Sequence, residues 1–123
     1  DKNAEAAARR EVLEEVGVDV STAILLGELD QVASPDLAPR VCVTPYVFAL
    51  AEDPAVVMDS REVAAIHWFG LDRFMQGEGR GHFPYTYQGT DYQLPCIDLD
   101  GRRIWGMTLR IVEDLLARLQ TTN

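Results

Sequence analysis

The spacing of apolar positions changes along the chain, and each change marks the boundary of a predicted element. Over Ala4–Val16 apolar residues recur every three or four positions, which is the spacing of one face of an α-helix and predicts a helix. Gly17 follows directly, and a glycine with positive φ commonly ends a helix. Residues 107–119 repeat the helical spacing, which predicts a second amphipathic helix near the end of the sequence.

Extended segments are predicted between these two helices. Residues 20–29 mix β-branched and apolar positions, and residues 40–51 are almost continuously apolar, as is typical of a strand buried on both faces. Pro45 lies inside the second segment and lacks an amide hydrogen, so a bulge or a sheet edge is expected there. The other predicted elements are one helical turn at Leu71–Met75, strands at 83–88 and 92–99, a hairpin turn at Asp100-Gly101, and loops at 34–39 and 76–82.

One face of the first helix is acidic. Glu11, Glu14 and Glu15 are three and four residues apart, so their side chains are neighbours on that face and repel one another. A divalent cation such as Mg²⁺ or Mn²⁺ would relieve the repulsion, because it prefers carboxylate oxygens as ligands. An ordinary solvent-exposed acidic face has the same spacing, so the spacing alone leaves both interpretations open. The opposite face is expected to pack against the core and contains Val12, Leu13 and Val16.

Composition places the chain among globular proteins of ordinary hydrophobicity. Its 123 residues are 47% hydrophobic and 25% charged, which suits one domain with a core. The net charge of −9 argues against a nucleic-acid binder but leaves nucleotide substrates open, since a metal can supply positive charge. No apolar run could span a membrane, and no signal peptide is recognisable. Cys42 and Cys96 are expected as buried free thiols in a reducing, cytoplasmic compartment, with a disulfide between them left open.

The string R-E-V-L-E-E-V-G-V at residues 10–18 resembles the second half of the Nudix box, R-E-(apolar)-x-E-E-x-G-(apolar), and fills every specified position. Arg9 stands where the family has an apolar residue, so its side chain is expected to lie at the edge of the core. Residues 60–71 resemble the family's S-x-E-V-x-E-x-x-W segment. The ending R-R-I-W-G-M-T-L-R at residues 102–110 resembles the coenzyme A diphosphatase-like branch.

The resemblance implies a fold as well as an activity. The implied fold class is α/β (α+β), a Nudix-type α/β/α sandwich with a mixed sheet, in which the two long helices lie on opposite sides. Residues 1–123 are then expected to be a single Nudix hydrolase domain that lacks its upstream strands. Trp68 is expected in the core, and Trp105 and Gly106 are expected to pack the last helix against the sheet.

The implied activity is Mg²⁺- or Mn²⁺-dependent hydrolysis of the diphosphate bond of a nucleoside diphosphate derivative, with coenzyme A or an acyl-CoA as the first choice. Glu11, Glu14 and Glu15 carry over as metal ligands. The resemblance also implies that Glu11 orients a water molecule and that Arg10 holds a glutamate carboxylate. Glu62 carries over as a possible additional base. The expected partner is this small molecule, with no nucleic acid or membrane, and a homodimer is left open.

Several alternatives remain. The enzyme could act broadly on other nucleoside diphosphate derivatives. It could instead be a binding module without turnover, because Lys2 falls where the box has its first glutamate and Ala65 where the later segment has a second one. Glu62 could be an ordinary surface carboxylate, and His67 is expected to be an exposed or core-edge residue. The loop at 76–82 could be a substrate-side lid carrying Arg80 and His82, although an ordinary loop accounts for its three glycines equally well.

Overall fold

The structure, a computed structural model, describes residues 3–34, 41–59 and 61–121. This part of the chain contains three helices, α1 (Ala4–Val16), α2 (Leu71–Met75) and α3 (Gly106–Gln120), and seven strands, β1 (Ile24–Glu28), β2 (Val32–Ala33), β3 (Cys42–Val43), β4 (Tyr46–Ala49), β5 (Arg80–Tyr87), β6 (Thr90–Leu99) and β7 (Arg102–Ile104). The predicted α+β class is confirmed. Two compact units divide the chain, Asp1–Leu29 with Thr44–Trp68 (unit 1) and Asp30–Val43 with Phe69–Asn123 (unit 2).

Helix α1 has the bounds that the sequence predicts, and local capping explains them. The side chain of Asn3 accepts a hydrogen bond from the Ala6 amide at 2.8 Å. Gly17 has a φ of 72°, and its amide donates to the Leu13 carbonyl at 3.0 Å. The expected core face is less buried than predicted, because none of the helix's residues, all of them described, is fully buried and Leu13 is 49% exposed.

Unit 1 also contains a small antiparallel sheet of β1 and β4. Strand β1 is shorter than the predicted segment, and its register shifts between Leu25 and Gly27. Arg9 connects α1 to Val20 and Phe48, as its expected position at the edge of the core suggests. Its guanidinium donates to the Val20 carbonyl and lies 4.5 Å from the centre of the Phe48 ring.

Replacing Arg9 with alanine is expected to lower the free energy of unfolding by about 1–3 kcal/mol, because a charged hydrogen bond and a cation–π contact are lost together. Urea unfolding measures the change. Arg61→Ala is the matched control, because the Arg61 side chain is 88% exposed, and it should change stability by about 0.5 kcal/mol at most. Equal effects of the two substitutions would show that Arg9 does not hold α1 in place.

The apolar run at 40–51 is not one strand. It divides at Pro45 into β3, which pairs with β2 in unit 2, and β4, which pairs with β1 in unit 1. Pro45 cannot donate to a ladder, although its carbonyl accepts from the Leu29 amide at 2.9 Å. The prediction of a strand buried on both faces is therefore wrong, since every residue of β4 is only half-buried. Residues 35–40, most of the predicted loop at 34–39, lie outside the described residues.

The two cysteines differ in burial. Cys96 is buried, as predicted, and Cys42 is exposed, so the prediction of two buried thiols is half wrong. The reason is that Cys42 lies in the short strand β3, next to exposed Val41, whereas Cys96 lies in the long strand β6. Both are free thiols.

Unit 2 is built on a three-stranded antiparallel sheet in the order β5-β6-β7. Two tight turns connect its strands. Both central residues have positive φ in each turn, 49° and 78° at Gln88-Gly89 and 52° and 77° at Asp100-Gly101. The predicted hairpin at Asp100-Gly101 is confirmed. The described strands pair only in antiparallel fashion and form three small sheets, so the expected mixed sheet is corrected. Two-residue turns join β5 to β6 and β6 to β7, and turns this short connect only antiparallel neighbours.

The core of unit 2 lies between this sheet and α3. Ile97, Leu99 and Leu109 are at its centre, and Leu109 is contributed by α3. Partly buried residues surround them, namely Phe69, Phe74, Ile104 and Val112. Among the described residues, no helix is long and apolar enough to cross a membrane.

The predicted loop at 76–82, whether an ordinary loop or a lid, is correct only up to residue 79, because residues 80–82 belong to strand β5. Arg80 and His82 lie in β5, and Arg80 forms a salt bridge with Glu113 of α3. The residues before β5 form a turn in which the Gly79 carbonyl accepts from the Asp98 amide at 2.8 Å. This hydrogen bond ties the glycine-containing turn to strand β6, which explains why the segment is part of the sheet.

Candidate active site

The acidic face of α1 carries the glutamates that the sequence singles out. Arg10 binds two of them, with Nη1 2.9 Å from Glu14 and Nη2 3.2 Å from Glu11. Arg10 thus bridges two carboxylates, whereas the sequence predicts a bidentate bond to one. The hydrogen bond to Glu14 is the main cause that raises the pKa of Arg10 above its ordinary value.

A remote segment of unit 1 is hydrogen-bonded to the end of α1. The Val57 amide donates to the Val16 carbonyl at 2.7 Å, and the Asp59 amide donates to the Glu15 carbonyl at 2.8 Å. These bonds satisfy carbonyls that have no partner within the helix. The Glu62 amide in turn donates to the Asp59 carbonyl at 3.0 Å, which keeps Glu62 in the same region. Residues 55–58 form no strand, and this segment is bound to the helix end through Val57.

Four acidic residues therefore form a carboxylate cluster, which consists of Glu11, Glu15, Asp59 and Glu62. The pKa of Glu15 is raised above its ordinary value, and the largest cause is partial desolvation. Repulsion from Glu11 and a hydrogen bond with it come next, followed by repulsion from Glu62 and Asp59. Arg61 has the opposite effect on Asp59, because its hydrogen bonds lower the pKa of that carboxyl. Glu15 therefore lies in the negative electrostatic potential of its carboxylate neighbours.

The donor set suits a hard divalent cation, since all its side-chain ligands would be carboxylate oxygens. Glu11, Glu15 and Glu62 are the predicted site residues that the structure brings together, and the cation would relieve the repulsion that Glu15 experiences. Glu14, the other predicted ligand, lies on the same helix and, like Glu11, is paired with Arg10. Among the described residues, no three acidic, histidine or cysteine side chains already surround one point in metal-binding geometry.

Asp59 is the member of the cluster that sequence reasoning missed. Its position depends on the backbone hydrogen bond to Glu15, and no spacing along the chain encodes that contact. A weak signal is present, because Asp59 closely precedes Glu62 in a polar stretch.

Trp68 is 66% exposed, so the prediction that it belongs to the core is wrong. Within the described part of the chain, the segment around Trp68 forms no strand that would pack its ring into a core. Trp68 instead borders a cavity of about 340 Å³ in unit 1, which Val12, Val16 and Phe48 also line. His67 is exposed, as one of the two expected positions allows.

Comparison with known proteins supports the interpretation of this site. A family model described as NUDIX domain matches residues 1–88, which include α1 and the whole carboxylate cluster. A comparison with curated proteins gives no match. The matched segment covers more than half of the 123 residues. The chain therefore belongs to the NUDIX domain family and is a pyrophosphohydrolase that acts on phosphorus-containing anhydrides.

Proposed function

We propose that the protein hydrolyses the diphosphate bond of a nucleoside diphosphate derivative with the help of Mg²⁺ or Mn²⁺ held at the carboxylate cluster. The observation that carries the proposal is the negative charge of the carboxylates around Glu15, whose pKa is raised by partial desolvation and then by repulsion from these neighbours. A bound cation would neutralise that charge and, when present, lower the pKa of water and screen the charge of a diphosphate. Family members generally use divalent metals and act on small nucleotide derivatives, which agrees with this chemistry.

The residues of α1 have separate parts in this proposal. Glu15 and Glu11 supply oxygen ligands from adjacent turns of the helix, with Glu14 as the third ligand. Arg10 fixes the directions of the Glu11 and Glu14 carboxylates through the salt bridges described above. A positioned carboxylate of this kind is held ready for a ligand, which limits the conformational freedom lost on binding.

Glu62 is proposed as the general base. A hydrogen bond from its own backbone amide to the Asp59 carbonyl anchors it beside the cluster, and its repulsion contributes to the raised pKa of Glu15. In this position it can accept the proton that an attacking water molecule loses. Asp59 helps to place Glu62 and adds negative charge to the cluster.

Coenzyme A or an acyl-CoA is the proposed substrate. The support for this choice is the ending at residues 102–110, which resembles the coenzyme A diphosphatase-like branch. Structurally, this ending forms β7 and the first turn of α3. The expected products are a phosphopantetheine and adenosine 3′,5′-bisphosphate.

A substrate panel with and without Mg²⁺ tests the proposal. We expect coenzyme A to be cleaved at its diphosphate bond in the presence of Mg²⁺ and to remain intact with a chelator, with both products identified by mass spectrometry. Other nucleoside diphosphate derivatives serve as comparison substrates. Faster cleavage of another derivative would replace the coenzyme A assignment with a broader hydrolase. Binding of nucleotides without any cleavage would indicate a binding module and overturn the proposal.

A further inference from the structure

Unit 2 contains a second cavity, of about 700 Å³, between the β5–β6 hairpin and the start of α3. Its volume lies in the range of small-molecule sites. All eight lining residues are in the described part of the chain, and none of them is charged. Four of the eight are aromatic, which is an unusual concentration for a chain with 8% aromatic residues. We call this cavity the aromatic pocket; its largest lining side chains are Tyr85, Tyr87, Tyr92, Leu94, Trp105 and Met107.

The strand register explains why these rings lie together. Tyr85 of β5 is directly opposite Tyr92 of β6, so the two side chains project from the same face of the sheet. Tyr87 lies two residues after Tyr85 and shares that face, because side chains alternate along a strand. The hairpin thus presents three tyrosines on one surface.

Trp105 is held against this surface by ring contacts. Its ring centre lies 5.4 Å from that of Tyr85 and 5.3 Å from that of buried Phe83, with an edge-to-face angle of 82° in the second case. Gly106 follows with a φ of 64°, and a Cβ at that position would meet no atom within 4 Å, so space beside the ring is open. Phe83 and Tyr85 therefore hold Trp105 in place without covering it.

The rings of the pocket remain accessible. Tyr85, Tyr92 and Trp105 are 37%, 45% and 41% exposed, although together they could bury a large apolar area. A concentration of accessible aromatic rings on one surface is characteristic of a binding site. Because no lining side chain is charged, the pocket suits a neutral group, and because half of its lining residues are aromatic, it suits a flat ring better than an aliphatic chain. Tyrosine hydroxyls and Thr108 add hydrogen-bonding groups for a polar ring edge.

We propose that the aromatic pocket binds a purine base. Stacking on tyrosine and tryptophan rings is the usual way in which proteins hold bases without charge. The base belongs either to the substrate itself or to a separate nucleotide, and the identification of that nucleotide rests on the proposed function. Binding of the base itself needs neither a metal nor turnover.

Tryptophan fluorescence provides a direct test. The chain has two tryptophans, so Trp68→Phe leaves Trp105 as the sole reporter. Adenosine is the probe, and ribose 5-phosphate and pantetheine are the comparison ligands. We expect adenosine to quench Trp105 in a saturable way, and the two comparison ligands to have no effect. Quenching by pantetheine but not by adenosine would overturn the proposal.

Variants made in the Trp68→Phe background locate the binding. Tyr85→Leu should weaken adenosine binding by about 5- to 150-fold, the range expected for loss of one stacking ring. Tyr46→Leu is the matched control, because Tyr46 is the tyrosine outside the pocket, and it should leave the affinity unchanged. Tyr92→Leu repeats the test if Tyr85→Leu fails to fold by circular dichroism. Unchanged affinity in a folded pocket variant would exclude the pocket.

Inhibition kinetics then distinguish the two sources of the base. Competitive inhibition of hydrolysis by adenosine would assign the pocket to the substrate's own base, and non-competitive inhibition would assign it to a separate nucleotide. Both results support base binding. If no substrate is hydrolysed, the proposed function is wrong, but the fluorescence titration still shows whether the aromatic pocket binds adenosine.

Discussion

Glu15→Gln is expected to reduce the rate of hydrolysis by about 100-fold or more. Loss of a residue that merely supports a metal ligand already costs about 10- to 100-fold in affinity or activity, and Glu15 is proposed as a ligand itself. The substitution keeps the shape of the side chain and removes its charge. Initial rates at saturating Mg²⁺ measure the effect, and isothermal titration with Mn²⁺ should show weaker metal binding.

Glu28→Gln is the matched control for this experiment. Glu28 is an exposed glutamate of strand β1 in the same unit, and its replacement should leave the rate unchanged. Wild-type turnover by Glu15→Gln would contradict the metal-binding role of α1.

The same variant should change how stability depends on pH. The folded protein raises the pKa of Glu15 above its ordinary value of 4.5, so from that value upward the folded state binds more protons than the unfolded state. Repulsion at Glu15 therefore lowers the stability of the metal-free protein as the pH rises through this range, and the penalty is absent below it. We expect Glu15→Gln to be more stable than the wild type near neutral pH, and this advantage should disappear below pH 4.5. Denaturant unfolding with a chelator measures it; an advantage that grows in acid would contradict the charge cluster.

Gly79→Ala is expected to destabilise the protein by about 2–5 kcal/mol, the largest stability effect that the described residues suggest. Gly79 has a φ of 77°, and an added Cβ would collide with the Asp98 carbonyl oxygen and lie 3.1 Å from Leu99 Cδ2. Asp98 cannot move away easily, because its amide is bonded to the Gly79 carbonyl and it belongs to the central strand of the sheet. Thermal and urea unfolding measure the loss.

Gly77→Ala separates the cost of the steric collision at Gly79 from the cost of placing an alanine at positive φ. Gly77 has the same φ of 77°, but a Cβ there would meet only Arg80 Cδ, at 3.9 Å. Its replacement should cost about 1–2 kcal/mol, which is the conformational cost alone. Similar losses for the two alanine variants would show that the contact between Gly79 and β6 is not tight.

Features of the fold that depend on neighbouring residues were predictable from the sequence. The bounds of α1 follow from a helical apolar period and from Gly17, and the turn at Asp100-Gly101 follows from two residues that tolerate positive φ. The α2 turn was likewise predicted with its exact bounds. In each case the deciding hydrogen bonds join residues that are close in sequence, so local chemistry contains the information.

Features that depend on distant contacts were not predictable in the same way. The run at 40–51 resembles one buried strand, yet its halves pair with different partners, and a hydrophobic pattern does not specify the partner. Leu13 and Trp68 are apolar but exposed, because burial depends on which surfaces meet. In the candidate site, the spacing of the α1 glutamates left two interpretations open, and the resemblance to the Nudix box singled these glutamates out. Asp59 was missed because a backbone bond to the helix end places it there.

The long pairing of β5 with β6 has a consequence for where the chain can be shortened. The matched family segment ends at residue 88, inside the turn that joins these two strands. A chain shortened there would keep β5 and lose β6, including Ile97 and Leu99 from the core of unit 2. The remaining strand would present unsatisfied amides and carbonyls to other molecules, which is the usual starting point of edge-to-edge aggregation. The matched segment thus ends within a paired hairpin, and a shortened form that keeps the core of unit 2 must retain both β6 and α3.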